Sequence, residues 1–286
     1  SCDDGPEHRI TYINEMSRND IGVAEYNRMT IAGLTLKAGQ NFTRLDQLRM
    51  WLGAGIPVKR LHPVLQDGSN AYGDTKGQEG PSNLFTDLVF HLLTDRTAGV
   101  GGTLRMSADN PSLIDVESFE NTSLFLRKNG LFCNGALSSK VNIREFIASN
   151  AATFLCNFVI KDGKFGLMPA VPTTAKGNIS ERPVQFKMYF NAGNILEDTF
   201  QLEYLTAEER RPFRAVVRYR QERRNKLPEE RTVMVSIKSN QTDEDPIETF
   251  DLTQFCTSPH HAALVGKYFI GLRLLVGHTI QFSTTA

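Results

Sequence analysis

Hydrophobic and polar positions divide the chain into segments of two periods. Arg28-Met-Thr-Ile-Ala-Gly-Leu-Thr-Leu36 alternates with period two, the mark of a half-buried strand, and Thr11–Glu15 also reads as a strand. Past Asn41 the spacing changes to three: Phe42, Leu45, Leu48 and Trp51 form a helical stripe stopped by Gly53 and Gly55. The Gly-, Asn- and Asp-rich stretch Gln66–Gly80 cannot bury apolar area and predicts a long exposed loop. Pro81-Ser82 then opens a helix with Leu84, Phe85, Leu88, Val89, Leu92 and Leu93 on one face and Asp87, His91 and Asp95 opposite. Asp115 to Asn129 predicts another helix, closed by Gly130. Leu131–Leu137 reads as a strand, and Asn142 caps a helix through Ile143, Phe146 and Ile147. From Phe154 to Pro169 two apolar runs flank Asp162-Gly163, which suits a type I′ hairpin turn.

Pro169–Pro183, with its Pro, Gly and small polar residues, is the expected domain boundary. Beyond it, strands are predicted at Gln185–Phe190, Thr199–Tyr204, Phe213–Gln221, Arg231–Ser239 and Ile247–Asp251, with a solvated turn at Gln241–Pro246. Strand geometry places Arg214, Val216, Arg218 and Arg220 on one face and Ala215, Val217 and Tyr219 on the other. Ser258 as N-cap and Pro259 at N1 start the longest helix, which runs to about Val276; His278–Thr284 forms a last strand. The fold class is α+β: a mixed first half, residues 1–172, and a strand-rich, barrel- or sandwich-like second half, 173–286, with helix 258–277 near its end.

Composition changes the picture mainly by exclusion. The 286 residues carry 32 Lys+Arg and 32 Asp+Glu, with 40% hydrophobic residues. A chain this long buries about three quarters of its unfolded surface, enough for a core without staples. Non-specific nucleic-acid binders draw affinity from a cationic excess, which this chain lacks overall. Four cysteines, none at CxxC spacing, read as free thiols of a reducing compartment. The most apolar stretch, Ala262–Gly277, contains Lys267 and Arg273 and is shorter than the roughly 30 Å of a membrane core. Neither a membrane span nor a signal peptide is expected. The polar start without Met and the abrupt end at Ala286 predict an excerpt of a longer chain.

Several clusters invite a chemical reading. Asp87, His91 and Asp95, spaced by four on one helix face, could form a metal site or an Asp–His dyad, but the face reads as solvated surface. Cys256, His260 and His261 lack a fourth ligand and straddle a helix start; the histidines read as neutral surface residues. Gly99-Val-Gly-Gly-Thr103 lacks the Lys-Ser/Thr of a phosphate loop and reads as a flexible turn. Cations crowd Arg210–Arg231, interspersed with Glu208, Glu209, Glu222, Glu229 and Glu230. This region is open to three readings: a solvated strand face, a subunit interface anchored by arginine, or a lining past which DNA moves. Arg214, Arg218, Arg220, Arg223 and Arg224, with Tyr72 of the long loop, are the candidate interface residues. No catalytic, cofactor or metal residue is assigned.

The order of motifs carries a resemblance. The segments are Gly5-Pro-Glu-His-Arg-Ile-Thr-Tyr-Ile-Asn-Glu15, Gly80-Pro-Ser-Asn-Leu-Phe-Thr-Asp-Leu-Val-Phe-His-Leu-Leu-Thr94, Asn142-Ile-Arg-Glu-Phe-Ile147, Phe154-Leu with Asp162-Gly-Lys-Phe-Gly-Leu-Met-Pro169, Ala192-Gly-Asn-Ile195 and Glu248-Thr-Phe-Asp-Leu252. With the Ser258–Gly277 helix, they resemble the host-specificity (tip attachment) proteins of long-tailed bacteriophages and gene-transfer-agent hubs. The resemblance spans about Gly5 to Phe282 and rests on order and spacing. It implies a non-enzymatic virion component, assembled in the bacterial cytoplasm and placed at the tail tip. Its partners would be two further copies in a trimeric ring, the distal tail protein, the end of the tape-measure protein and other tail-tip or fibre proteins. No sequence-specific nucleic acid, stable membrane insertion or cofactor is implied. Two rivals remain open. A hydrolase of cell wall or surface glycan would need paired carboxylates about 5–10 Å apart or a Cys–His pair, for which Cys256 and His260 are the local candidates. A receptor-binding module would need aromatic loop tips, and the long loop offers Tyr72.

Overall fold

A computed structural model describes residues 57–61, 79–137, 141–180, 189–222, 228–236 and 245–284. The strands expected at Thr11–Glu15 and Arg28–Lys37, the helix at Phe42–Trp51 and most of the Gln66–Gly80 loop lie outside them. The end of that loop is described, and Glu79–Gly80 (β2) pairs antiparallel with Val58–Lys59 (β1).

Helix α1, Phe85–Thr94, buries its Phe85, Val89, Phe90, Leu92 and Leu93 stripe. A single helical turn, α2, Gly101–Leu104, folds back on its end. Helix α3, Val116–Lys128, starts where the Asp115 side chain accepts from the Ser118 N–H, and ends at Asn129 before Gly130 at φ 67°. The left-handed backbone that closes the helix there costs glycine nothing. Helix α4, Ile143–Ala151, is capped by the Asn142 side chain, which accepts from Arg144 N and Glu145 N. A 3-10 turn, Ala152–Phe154, leads into the hairpin of Cys156–Lys161 (β3) and Lys164–Pro169 (β4). Asp162 and Gly163 both have positive φ, 52° and 73°, as a type I′ turn requires.

Leu131–Leu137 forms no strand. Its amides bond singly to loop carbonyls, Cys133 N to Asn83 O (2.7 Å) and Asn134 N to Phe255 O (2.9 Å), so no ladder develops. The Pro169–Pro183 stretch is hydrogen-bonded to the residue that ends α3. Asn129 donates from Nδ2 to the Gly177 carbonyl (2.8 Å) and accepts from Ile179 N (3.3 Å).

In the second half, Arg214–Gln221 (β6) is the centre of a three-stranded sheet. It runs antiparallel to Glu229–Val235 (β7) and parallel to Ile247–Asp251 (β8). Gln201–Tyr204 (β5) pairs antiparallel with His278–Gln281 (β9). Helix α4 is followed in chain order by the last helix, α5, Pro259–Leu275, which packs on β6 and β7. Ser258 takes the extended cap conformation, but its hydroxyl makes no capping bond. The α+β class is therefore observed; among the described residues no sheet closes into a barrel.

One cluster of buried apolar residues includes α1, α3, α4, β6 and α5. Aromatic rings link its parts. Phe85 of α1 stacks on Phe154 of the 3-10 turn (4.5 Å between centroids), and Phe154 in turn lies 5.4 Å from the His261 ring of α5. Phe146 of α4 meets Phe85 on one side and Phe255 on the other, at 6.4 and 5.8 Å. Such pairs contribute about 0.5–1.5 kcal/mol each beyond area burial.

Candidate functional site

Alternation along β6 sorts its side chains as predicted. Ala215, Val217 and Tyr219 are buried beneath α5, while Arg214, Val216, Arg218 and Arg220 take the opposite, half-exposed face. The arginines on this face have partners. Arg218 donates to Glu230 at 2.6 Å on β7 and lies 3.6 Å from Asp251 on β8, bridging all three strands. Arg220 pairs with Glu222 (2.6 Å) and donates to the Asn134 carbonyl (3.1 Å). On the other face of the sheet, where Arg231 of β7 is the register partner of Tyr219, Arg231 pairs with Glu229 at 2.6 Å. Asp251 is held below the usual carboxylate range by two bonds from Thr253 and, less strongly, by Arg218. Glu230 is the largest influence raising the Arg218 guanidinium. Exposed pairs of this kind contribute about 0–1 kcal/mol each, so these pairs offset charge on the face and add little stability. Arg223, Arg224 and Tyr72 lie outside the described residues.

Arg273 of α5 completes a second cross-element contact. It makes a two-pronged pair with Glu248 of β8 and places its guanidinium 4.3 Å from the Phe213 ring centroid. The helix is thereby tied to the sheet edge by charge as well as by packing.

The other clusters resolve differently from their sequence appearance. Asp87 is fully buried, contrary to the solvated-face reading. Its carboxylate accepts from Leu61 N (3.1 Å) and Ser82 Oγ (2.6 Å), fastening β1 and the α1 entry to one helix position. His91 and Asp95 are half-buried, and Asp95 accepts from Thr97 N and Ala98 N (2.8 and 2.6 Å). The Gly99–Thr103 turn is closely packed rather than loose. A Cβ on Gly99 or Gly101 would overlap the carbonyls of Leu92 or Thr94 at the end of α1.

His261 is buried, not a surface residue. Its Nε2 lies 2.7 Å from the Thr153 carbonyl, so Nε2 carries a proton and donates. Burial lowers its pKa, against the pull of the Thr153 and Phe132 backbone. Cys256 is also buried, and burial pushes its thiol up to about 11, away from the thiolate a nucleophile or metal ligand needs. The thiols of Cys133, raised to about 12, and of Cys156 are shifted the same way by burial. Among the described residues, no three His, Cys, Asp or Glu side chains converge as a metal site would require. Nor, among those residues, is any helix long and apolar enough to cross a membrane.

The feature that residue-by-residue reading missed is the β5–β9 ribbon. Cross-strand partners Leu202 and Ile280, and Tyr204 and His278, share one face. Phe200 and Phe282 continue that face by the same alternation, with their rings 6.4 Å apart, and Phe190 packs edge-on against Phe282 at 4.8 Å. The other face carries Gln201, Glu203, Thr279 and Gln281. All eight strand residues are exposed. The signal was present as alternation in Phe200–Tyr204 and His278–Phe282, but the pairing of segments almost eighty residues apart was not. Set against known proteins, the chain matches no family model, and no curated protein matches it.

Proposed function

We propose that this chain is part of the central hub of a long-tailed phage tail tip. It assembles as a ring, joins the tail tube to receptor-binding or fibre modules, and gates the DNA channel. The observation that carries this reading is the ordered series of motifs from Gly5 to Phe282. Two features support an assembly role. Among the described residues, the arginine face of the β7-β6-β8 sheet has Arg218 and Arg220 paired with Glu230, Asp251 and Glu222. The β5–β9 ribbon has aromatic residues in solvent, as protein interaction surfaces do. In this reading the chain acts by contact and position, with no chemical step.

The test is placement in the particle. Tails purified from the source phage should contain the chain by peptide mass spectrometry, and a tail map should hold three copies around the axis at the tip. Absence from purified tails, or density at another site or in another copy number, overturns the proposal.

A further inference from the structure

The β5–β9 ribbon combines two properties that conflict in an isolated molecule. Its side-chain pattern is that of a half-buried sheet, apolar on one face and polar on the other. Yet Phe200 is 53% exposed, Tyr204 72%, Ile280 49% and Leu202 41%. With Phe190, these side chains leave roughly 600 Å2 of mostly apolar surface in water, at the top of what a single monomer shows. Two four-residue strands also make a marginal sheet by themselves; independent stability needs a third strand or a packed face.

We infer that the aromatic face of the β5–β9 ribbon is buried against the same face of other copies of this chain. The inference rests on the ring reading above for its stoichiometry, which puts the three ribbons together on the three-fold axis, since the same face packed pairwise would close a dimer; it rests on the ribbon itself for its location. Three observations favour a second copy as the occupant. The available area is most of the ~800 Å2 that each partner contributes to a standard interface. The chain has a net charge of zero, so no long-range repulsion opposes association with itself. The face is also chemically matched to a copy of itself: Phe200, Leu202 and Ile280 offer apolar contact, while Tyr204 and His278, whose rings lie 5.9 Å apart, add polar groups at one end. Aromatic residues with a polar handle are the type that anchors interfaces.

The experiment uses the full chain. Mass photometry and light scattering of the 32.0 kDa protein should give an oligomer at micromolar concentration. The double variant Tyr204→Glu/Ile280→Glu should shift it to the monomer, weakening association at least a hundredfold. The polar-face control Gln201→Lys/Thr279→Lys, which sets Lys opposite Glu203, should leave the oligomer intact. Both variants alter exposed positions and should keep the wild-type circular dichroism and melting temperature. In a Cys2→Ser background, Leu202→Cys should crosslink between copies with a short bis-maleimide, whereas Glu203→Cys should not. A monomeric wild type, an oligomer that survives Tyr204→Glu/Ile280→Glu, or Leu202→Cys crosslinks confined within one chain would each overturn the inference. The hub reading fails separately. A particle map with three copies whose ribbons face elsewhere sinks the ribbon inference alone; self-association by a chain absent from tails sinks only the hub.

Discussion

Asp87 occupies the helical register of a solvent-facing position, yet it is buried because β1 and the Pro81–Leu84 entry cover that side of α1. Its carboxylate is the acceptor for a buried backbone amide, so the substitution predicted to hurt most for its size is Asp87→Ala. Leaving the Leu61 N–H unsatisfied should cost about 2–4 kcal/mol in a urea titration, with Asp87→Asn costing less. Unchanged stability in Asp87→Ala would refute that role. His261 supplies a pH prediction. Burial holds its folded-state pKa below the unfolded value of 6.5, so the unfolded chain takes up the proton first. The stability linked to neutral His261 is complete above about pH 6.5 and is lost as pH falls from there toward the folded-state pKa. Thermal melts should show a decline beginning above the carboxylate range, where Asp251 and Glu209 begin to titrate. In His261→Phe that early part of the decline should disappear, even if the variant melts lower throughout.

Element packing shows why a helix residue with no side chain matters. Gly266 faces the sheet from α5, where an added Cβ would approach Val235 Cγ2 at 2.9 Å and Val217 Cγ2 at 3.1 Å. Helix propensity alone favours Gly266→Ala by about 1 kcal/mol. Overpacking typically costs about 1–3 kcal/mol and should prevail, giving net destabilisation by chemical denaturation. At the hairpin the conflict is absent. Gly163 has open space around it but φ +73°, so Gly163→Ala should destabilise by about 1 kcal/mol through backbone conformation alone. The Arg273–Glu248 pair is about two thirds buried and shares its guanidinium with Phe213. A double-mutant cycle between Arg273→Met and Glu248→Gln should return a coupling of about 1 kcal/mol, falling in high salt. Zero coupling at low salt would make packing, not charge, the tie between α5 and β8.

Across the molecule, the buried rings decide which elements cohere. Phe85, Phe146, Phe154 and Phe255 meet from four separate segments, and His261 joins them. Phe154→Ala removes a fully buried ring where these segments meet and should cost about 3–5 kcal/mol, read as a lower denaturation midpoint. The loss should come in one cooperative transition if α1, the hairpin and α5 unfold together, and in two if they do not. At this scale the two exposed faces also separate in character. The arginine face of β6 satisfies its charge internally through Glu230, Asp251 and Glu222. The β5–β9 face leaves its apolar surface without an internal partner among the described residues. On that contrast rests the choice of the ribbon, rather than the described arginines of β6, as the proposed interaction surface.

Local rules were enough for the α3 and α4 caps, the Asp162-Gly163 turn, the alternation of β6 and the Pro259 start of α5. Each depends on residues within one or two turns of one another, whose sterics and hydrogen bonds act before tertiary contacts form. Thus the sequence by itself determined the α+β content and which strand residues share a face. Tertiary structure decided the rest. It buried Asp87 and His261, denied Leu131–Leu137 a strand partner, and gave Arg218 acids from two other strands and Arg220 the Asn134 carbonyl. It also joined Gln201–Tyr204 to His278–Gln281, turning two ordinary alternating segments into one exposed aromatic face. The physical reason is common to all four. Burial, ladder formation and charge neutralisation depend on what arrives from distant parts of the chain, and periodicity records only the face a residue occupies on its own element.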